Sequence, residues 1–202
     1  MHWFTSDLHL GHKNILRFCP ERNTRCREWL GLPSPPTGVN PEGPKRVSIL
    51  DHDRWIIGRM KEQSKPGDTI WHLGDLSLSG VERGLGYLRA IREALPDRRL
   101  FLLGGNHDFM TLKKLSQRGE LPEDMEYLGH PEEPRTYSEC LFALCHYPRS
   151  DWPGHTIHLH GHTHTAVKST MRRRVHVGWD AWHGLASYPE ICAIAHATKE
   201  PE

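Results

Sequence analysis

The feature that most constrains this chain is a repeated arrangement in which a short apolar run leads directly into a polar block. Runs at His2–Ser6, Thr69–Leu73 and Leu100–Leu103 read as strands, and each is followed by residues such as Asp, Asn and His. Apolar residues regain helical spacing over 47–64 and Val81–Leu95. Strands that alternate with helices predict an α/β fold, in which ligands collect at the carboxyl ends of the strands.

Five polar blocks occur in this arrangement, and together they contain aspartate, asparagine and histidine at close spacing. They are Asp7-Leu8-His9, Gly74-Asp75, Gly105-Asn106-His107-Asp108, His146 and Gly161-His162-Thr163-His164. Single blocks have ordinary alternatives, since Asp7 is a good helix cap and Gly74-Asp75 is a common turn. Their joint order, each at the end of a strand, favours one shared site.

The chemistry of these side chains suits divalent metal ions. Histidine is the commonest metal ligand in proteins, and this chain has 16 histidines in 202 residues. A carboxylate such as Asp75 has two oxygens and can bridge two cations. A mixed set of imidazole, carboxylate and amide groups suits Mn, Fe, Zn, Ni or Co better than Mg or Ca.

His158 and His160 alternate with Ile157 and Leu159, so they read as one strand face and not as ligands.

Length and composition limit the class of protein. The chain fits a single domain over residues 1–202, with a Pro/Gly-rich insertion at about 19–46 that reads as irregular. The formal net charge of +1 gives no overall signal for nucleic acid, although a local basic patch is compatible with it. No apolar run reaches the roughly 20 residues that span a bilayer. Five cysteines without a Cys-x-x-Cys pair favour reduced thiols and a cytoplasmic location.

The order Asp-x-His, Gly-Asp, Gly-Asn-His-Asp, lone His and Gly-His-x-His resembles that of the calcineurin-like metallophosphoesterases. The segments 4–15 and Thr69–Asp75 further resemble the small, stand-alone bacterial and phage members, and Val177–Trp182 resembles their C-terminal signature. The resemblance implies a four-layer α-β-β-α sandwich of two mixed sheets flanked by helices. The insertion at 19–46 is longer than the corresponding connection in these relatives.

The resemblance also implies a site for two divalent metal ions, with manganese as the first choice. Seven ligands are implied: Asp7, His9 and His164 for metal one, Asn106, His146 and His162 for metal two, and Asp75 for both. His107 would lie beside the metals as a general acid, with Asp108 fixing its orientation. Substrate contacts are expected from His12, Asn14 and Asn106, although His12 and Asn14 suit the start of a helix equally well.

The implied activity is the hydrolysis of a phosphate ester, either a diester or a monoester, with a small or nucleotide-like substrate. Two cations about 3.5–4 Å apart lower the pKa of a shared water from 15.7 toward about 7. The bridging hydroxide that results would attack phosphorus while His107 protonates the leaving oxygen, a role typically worth about 10²–10⁴-fold.

Several alternatives stay open at this point. A nuclease of the same fold is disfavoured by the near-neutral charge. A protein Ser/Thr phosphatase is disfavoured because Leu76-Ser77-Leu78 and Asp108 replace that group's Asp-Arg-Gly and Glu. A non-catalytic metal-bound scaffold fits poorly with a full ligand set and His107. The insertion is interpreted either as a lid or as a tolerated surface insertion.

Overall fold

Strands and helices alternate through the first half of the computed structural model, which describes residues 1–33, 46–133, 135–137, 141–152, 155–169 and 171–198. Within these ranges the strands are β1 (His2–Thr5), β2 (Thr69–Leu73), β3 (Arg99–Leu103), β4 (Met125–Gly129), β5 (Arg135–Tyr137), β6 (Phe142–Leu144), β7 (Ile157–His160), β8 (Arg174–His176) and β9 (Ala186–Ser187). The helices in the same ranges are α1 (Ile15–Phe18), α2 (Pro20–Trp29), α3 (Ile49–Gln63), α4 (Val81–Ala94), α5 (Phe109–Gln117), α6 (Trp179–Trp182) and α7 (Tyr188–Ala197).

The strands form two mixed sheets. The first has the order β4-β3-β2-β1-β9, and β9 is the one strand in it that runs antiparallel to its neighbour. The second has the order β5-β6-β7-β8, with β5 antiparallel to β6 and the other pairs parallel. Two mixed sheets with helices confirm the predicted α/β class. Parallel neighbours also end at the same edge, so the loops after β1, β2 and β3 emerge side by side.

Alternating side chains along β2 divide the hydrophobic core into two parts. Ile70 packs in a cluster that includes Leu88 of α4, so helices cover one face of the first sheet. The next residue, Trp71, packs with Phe142 and Leu159 of the second sheet. Because successive strand residues point to opposite faces, the first sheet lies between a helical layer and the second sheet.

Two helices begin at serines that cap them. The Ser48 hydroxyl accepts the backbone N–H of Asp51 at the start of α3. Ser187 accepts the N–H of Glu190 at the start of α7, and the Glu190 carboxylate accepts the N–H of Ser187 in return. The α3 region was predicted from apolar spacing over 47–64. No helix was predicted at α7, although Ser187 and Glu190 have the spacing of a capping box.

The predicted irregular insertion at about 19–46 is wrong for its first part, because Pro20–Trp29 forms α2. Pro20 occupies the first helical residue, where the missing N–H of proline costs no hydrogen bond. Arg25 pairs with Glu21 one turn before it at 3.2 Å, which favours the helix further. The helix packs against α3. Residues 34–45 of the insertion lie outside the described part of the chain.

The outer side of the second sheet carries a row of three imidazoles, from His158 and His160 of β7 and His176 of β8. Neighbouring ring centroids lie 5.5 and 5.3 Å apart, and Trp152 stacks on His158 at 5.0 Å. The interpretation of His158 and His160 as one strand face is therefore confirmed.

Among the described helices, none is both long enough and apolar enough to cross a membrane.

Candidate metal centre

The loops after β1 and β2 are joined by backbone hydrogen bonds that continue beyond the ends of the strands. The N–H of Asp7 donates to the carbonyl of Gly74 at 2.9 Å, and that of His9 donates to the carbonyl of Asp75 at 3.0 Å. These bonds fix the two loops side by side. Two of the predicted blocks, 60 or more residues apart in sequence, are thereby brought together.

Most of the predicted metal ligands have an unusual backbone conformation. Five of them have positive φ angles of 47–70°, namely Asp7, His9, Asp75, His162 and His164. Residues other than glycine adopt this left-handed region rarely, and such residues cluster at functional sites. Glycine provides room beside them, since a Cβ on Gly74 would stand 2.5 Å from His146 Nδ1 and 2.7 Å from the Cα of Gly105.

The ligands proposed for metal one converge at their side-chain tips. The Nε2 atoms of His9 and His164 are 3.0 Å apart, and Asp7 Oδ1 lies 4.0 Å from His164 Nε2. The donor atoms of all three residues lie within 4.8 Å of one another. The Ser6 hydroxyl and the N–H of His162 bond the Asp7 carboxylate at 2.6 and 3.0 Å and hold it in place.

The ligands proposed for metal two form a second group. Asn106 Oδ1 lies 3.0 Å from His146 Nε2 and 3.1 Å from His162 Nδ1. His146 is fully buried, and its Nδ1 lies 2.8 Å from the carbonyl oxygen of Leu73, which accepts the ring N–H. That bond leaves Nε2 as the nitrogen that faces the site.

Asp75 lies between the two groups. Its Oδ2 is 3.7 Å from His9 Nε2 and 3.5 Å from His146 Nε2. Burial raises the pKa of this carboxyl, but the hydrogen bond and charge of His146 outweigh it and hold the pKa below the usual value. Asp75 therefore stays ionised and offers one oxygen to both groups.

The donor set fits divalent cations. Two imidazole nitrogens turned toward each other at 3.0 Å, with carboxylate oxygens within about 4 Å, are satisfied together by a cation between them. Burial lowers the pKa of His9 to about 2, so its ring is neutral, as a ligand must be. In His164 burial also lowers the pKa, but the hydrogen bond to Asp180 raises it to about 10, so a cation at Nε2 would have to displace a proton from this ring.

His107 lies at the open side of the centre. Its ring centroid is 5.5 Å from that of His9, its Nε2 is 4.0 Å from Asp75 Oδ2, and 40% of its side chain is exposed. Its backbone N–H donates to Asp75 Oδ1 at 2.9 Å, which joins this loop to the predicted bridging residue. His107 is therefore beside the ligands and reachable from solvent.

Asp108 has different hydrogen-bond partners from the one predicted from the sequence. Its carboxylate was expected to orient the His107 ring, but it accepts the backbone N–H groups of Gly105 at 2.7 Å and Leu76 at 2.5 Å. Burial raises the pKa of this carboxyl to about 6. Asp108 joins the loops after β2 and β3 and acts on His107 through the backbone.

Of the two predicted substrate contacts in the first loop, one lies near the centre. The His12 ring centroid is 5.8 Å from that of His9. Asn14 is exposed and stands at the N-terminal end of α1, where its carbonyl accepts the N–H groups of Arg17 and Phe18. The position of Asn14 thus matches the alternative of a helix start.

Two residues at the centre were not predicted. Asp180 Oδ2 lies 2.7 Å from His164 Nδ1, and fully buried Arg22 of α2 binds the same carboxylate. Asp180 belongs to the Val177–Trp182 segment that carries the family resemblance, and this was the one sequence signal for it. Nothing distinguished Arg22 from the other arginines of the insertion.

Known proteins resemble this chain over nearly its whole length. Gene 66 proteins of the mycobacterium phages D29 and L5 are 27% and 26% identical to it, over 98% and 99% of this chain and 97% and 96% of theirs. A crystal structure of AQ665 from Aquifex aeolicus, a protein of unknown function, has the same fold. It matches with a TM-score of 0.60 and 21% identity over 96% of this chain and 98% of that one.

A family of proteins is recognised in the sequence as well. The calcineurin-like phosphoesterase pattern matches residues 3–188, which include all five polar blocks and strands β2 to β9. The resemblance on which the site was predicted is thereby confirmed. The chain belongs to the calcineurin-like phosphoesterase family.

Proposed function

We propose that this protein hydrolyses phosphate esters with two divalent metal ions, as a phosphodiesterase, a phosphomonoesterase or both. The observation that carries the proposal is the position of Asp75, one oxygen of which lies within 3.7 Å of ligand nitrogens from both groups. A carboxylate shared in this way suits a pair of adjacent cations. Family membership supports the coarser statement that the chain is a metal-dependent phosphoesterase.

Seven side chains would hold the two ions: Asp7, His9 and His164 for metal one, Asn106, His146 and His162 for metal two, and Asp75 for both. Manganese is the first choice, and Fe, Zn, Ni and Co suit the same mixture of imidazole, carboxylate and amide groups. When bound, such a pair supplies positive charge to phosphate oxygens and lowers the pKa of a water molecule.

His107 is proposed as the general acid. Its half-exposed ring stands beside the bridging carboxylate without occupying a ligand position, so a proton on Nε2 can reach the leaving oxygen of a substrate. The loop that carries it is held twice, through its own N–H on Asp75 and through Asp108 on Leu76 and Gly105. Asp108 would therefore act as a positioning residue.

The substrate would meet the open side of the centre. His12, near the His9 ring, and Asn106, whose amide nitrogen is free to donate while Oδ1 faces the metal-two ligands, are proposed as contacts to phosphate oxygens. Asn14 remains a third candidate at the start of α1. A small or nucleotide-like ester is the proposed substrate of this centre, which is built by the five loops after β1, β2, β3, β6 and β7.

The proposal is tested on purified protein, stripped of metal and then supplied with Mn²⁺, Ni²⁺, Zn²⁺ or Mg²⁺. Aryl monoesters, aryl diesters, cyclic nucleotides and oligonucleotides serve as substrates, and metal content is measured on the same samples. We expect turnover that requires added metal, with two ions per chain at full activity.

Two outcomes contradict the proposal. One is the absence of turnover on every ester with every metal, which would favour a binding protein. The other is full activity with a single ion per chain, which would remove the role of Asp75 as a bridge. Preference for oligonucleotides with a steep salt dependence would instead identify a nuclease.

A further inference from the structure

A fully buried arginine on α2 reaches into the metal centre from the insertion. Arg22 donates from Nε to Asp180 Oδ1 at 2.7 Å and from one terminal nitrogen to Asp180 Oδ2 at 2.8 Å. The guanidinium thus binds the carboxylate through two parallel hydrogen bonds, which is the strongest and most directional form of an arginine–carboxylate pair.

The same carboxylate orients a proposed metal ligand. Asp180 Oδ2 lies 2.7 Å from Nδ1 of His164, whereas the Cys19 sulfur lies 3.7 Å from that nitrogen. A neutral ring that donates its Nδ1 proton to a carboxylate presents Nε2 as the lone pair, and His164 Nε2 is the atom that faces His9. Arg22, Asp180 and His164 therefore form one connected series from α2 to the ligand atom.

Arg22 also holds the loop that carries two further ligands. Its remaining donors reach the carbonyl oxygens of Leu8 at 3.0 Å and Asp7 at 2.6 Å. Asp7 and His9, the residues before and after Leu8, have positive φ angles. Such a backbone conformation persists only where its surroundings hold it. One guanidinium therefore fixes both the loop after β1 and the ring of His164.

Stability alone does not account for these contacts. A buried ion pair contributes little net stability, because the cost of removing both charges from water offsets their attraction, and apolar residues often replace such pairs without loss. Apolar residues cannot select the tautomer of His164 or bind two carbonyl oxygens. The geometry is therefore suited to positioning the ligands.

We propose that Arg22 and Asp180 are positioning residues of the metal-one half, and that α2 is a built-in part of the metal centre. The proposal rests on the proposed assignment of His164 and Asp7 as ligands. It concerns the first part of the insertion, which was interpreted from sequence as either a lid or a surface addition. Arg22 and Asp180 are both buried, so the proposal assigns neither of them a contact with substrate.

The test measures metal binding without substrate. Metal-free wild type, Arg22→Met, Arg22→Lys and the double variant Arg22→Met/Asp180→Asn are titrated with Mn²⁺ by calorimetry, after circular dichroism has shown that each is folded. The double variant leaves no unpaired buried charge, so it is the one best able to fold. Arg25→Met is the matched control, because Arg25 lies on the same helix in exposed pairs with Glu21 and Glu28.

We expect one of the two ions to bind about 10–100-fold more weakly in the Arg22 and double variants, the usual loss when an outer partner of a metal ligand is removed. The second ion and the Arg25 control should be unchanged, and lysine should restore part of the loss. In ¹⁵N-histidine spectra of the wild type, the His164 ring, identified as the signal that His164→Gln removes, should show a proton fixed on Nδ1. The double variant should lose this signature, whereas His146, His158 and His160, whose Nδ1 atoms bond backbone carbonyls, should keep theirs.

The proposal is overturned if a folded double variant binds both ions with wild-type affinity, or if its histidine spectra match those of the wild type. An equal loss at both ions would indicate a general structural role and would overturn it too. Because no turnover is measured, a failure to find an ester substrate would leave this result intact.

Discussion

Two pairs of histidines, only four residues apart in sequence, have opposite environments. His158 and His160 lie in β7, where His158 bonds the carbonyl of Ala143 at 3.1 Å and the two rings stack on each other. His162 and His164 lie in the following loop with positive φ angles, and their ring nitrogens face Asn106 and Asp180.

The difference lies in the neighbours and not in the spacing. Both pairs are separated by one residue, but the strand pair meets backbone carbonyls and aromatic rings, and burial lowers the two pKa values to about 4 and about 3. The loop pair meets carboxylate and amide oxygens from distant parts of the chain. A His-x-His pattern therefore indicates a metal site only where the backbone turns the rings toward other ligands.

The largest expected effect concerns His107, which is proposed as the general acid and not as a metal ligand. His107→Ala should retain both metal ions and lose about 10²–10⁴-fold in turnover on alkyl esters, because no proton then reaches the poor leaving oxygen. Rates on aryl esters with good leaving groups should fall far less. Steady-state kinetics on both ester types, with metal analysis, make the measurement.

An equal loss on alkyl and aryl esters would argue against the acid role of His107. A loss of metal would indicate that His107 is itself a ligand, and the centre would then have no histidine that serves as the general acid.

The second prediction compares a histidine of the loop pair with a histidine of the strand pair. His164→Gln should weaken one ion by more than about 100-fold, since removing only an outer partner of a ligand already costs 10–100-fold. His160→Gln is the matched control, because it makes the same substitution in the strand pair, where Nδ1 of His160 bonds the carbonyl of Gly161 at 2.9 Å and the residue is not a proposed ligand. Calorimetric titration with Mn²⁺ measures both. Equal weakening in the two variants would break the comparison.

The smallest effect is a pH dependence of stability from the strand pair. With a folded-state pKa of about 4, His158 is neutral in the folded protein at pH values where the unfolded chain, with a pKa of about 6.5, binds a proton. The contribution of His158 to the free energy of unfolding is therefore fully present well above pH 6.5. It is lost as the pH drops toward 4, and the loss is about 1.4 kcal/mol at pH 5.5.

His158→Gln should remove this contribution. The free energy of unfolding of metal-free variant and wild type, measured by urea denaturation at pH 7.5 and 5.5, should show a smaller decrease in the variant. An identical decrease in both proteins would show that His158 is not held neutral by the fold.

Much of the centre could be predicted because its proposed ligands directly follow strands. Asp7, Asp75 and Asn106 come after β1, β2 and β3, and parallel strands in one sheet bring such loops together. The strand interpretation of β2 and β7 matched the structure for the same reason, since short apolar runs end abruptly at polar blocks.

The residues that bond the proposed ligands could not be predicted in the same way. Arg22 and Asp180 are 158 residues apart, and a pairing over that separation leaves no local pattern. The prolines of the insertion also concealed α2, because Pro20 at a helix start looks in sequence like a helix breaker. Asp108 was placed near the centre, but its bonds to Leu76 and Gly105 depend on how two loops meet.

The bent backbone at the ligands has a consequence for protein engineering. Copying the seven side chains onto another scaffold would not reproduce the centre, because five of them depend on left-handed turns that an ordinary strand or helix does not supply. A designer would have to transfer the loops whole, with their neighbouring glycines. For the same reason valine, isoleucine or threonine at Asp7 or His162 should be rejected in a selection for folded variants, even where metal is withheld.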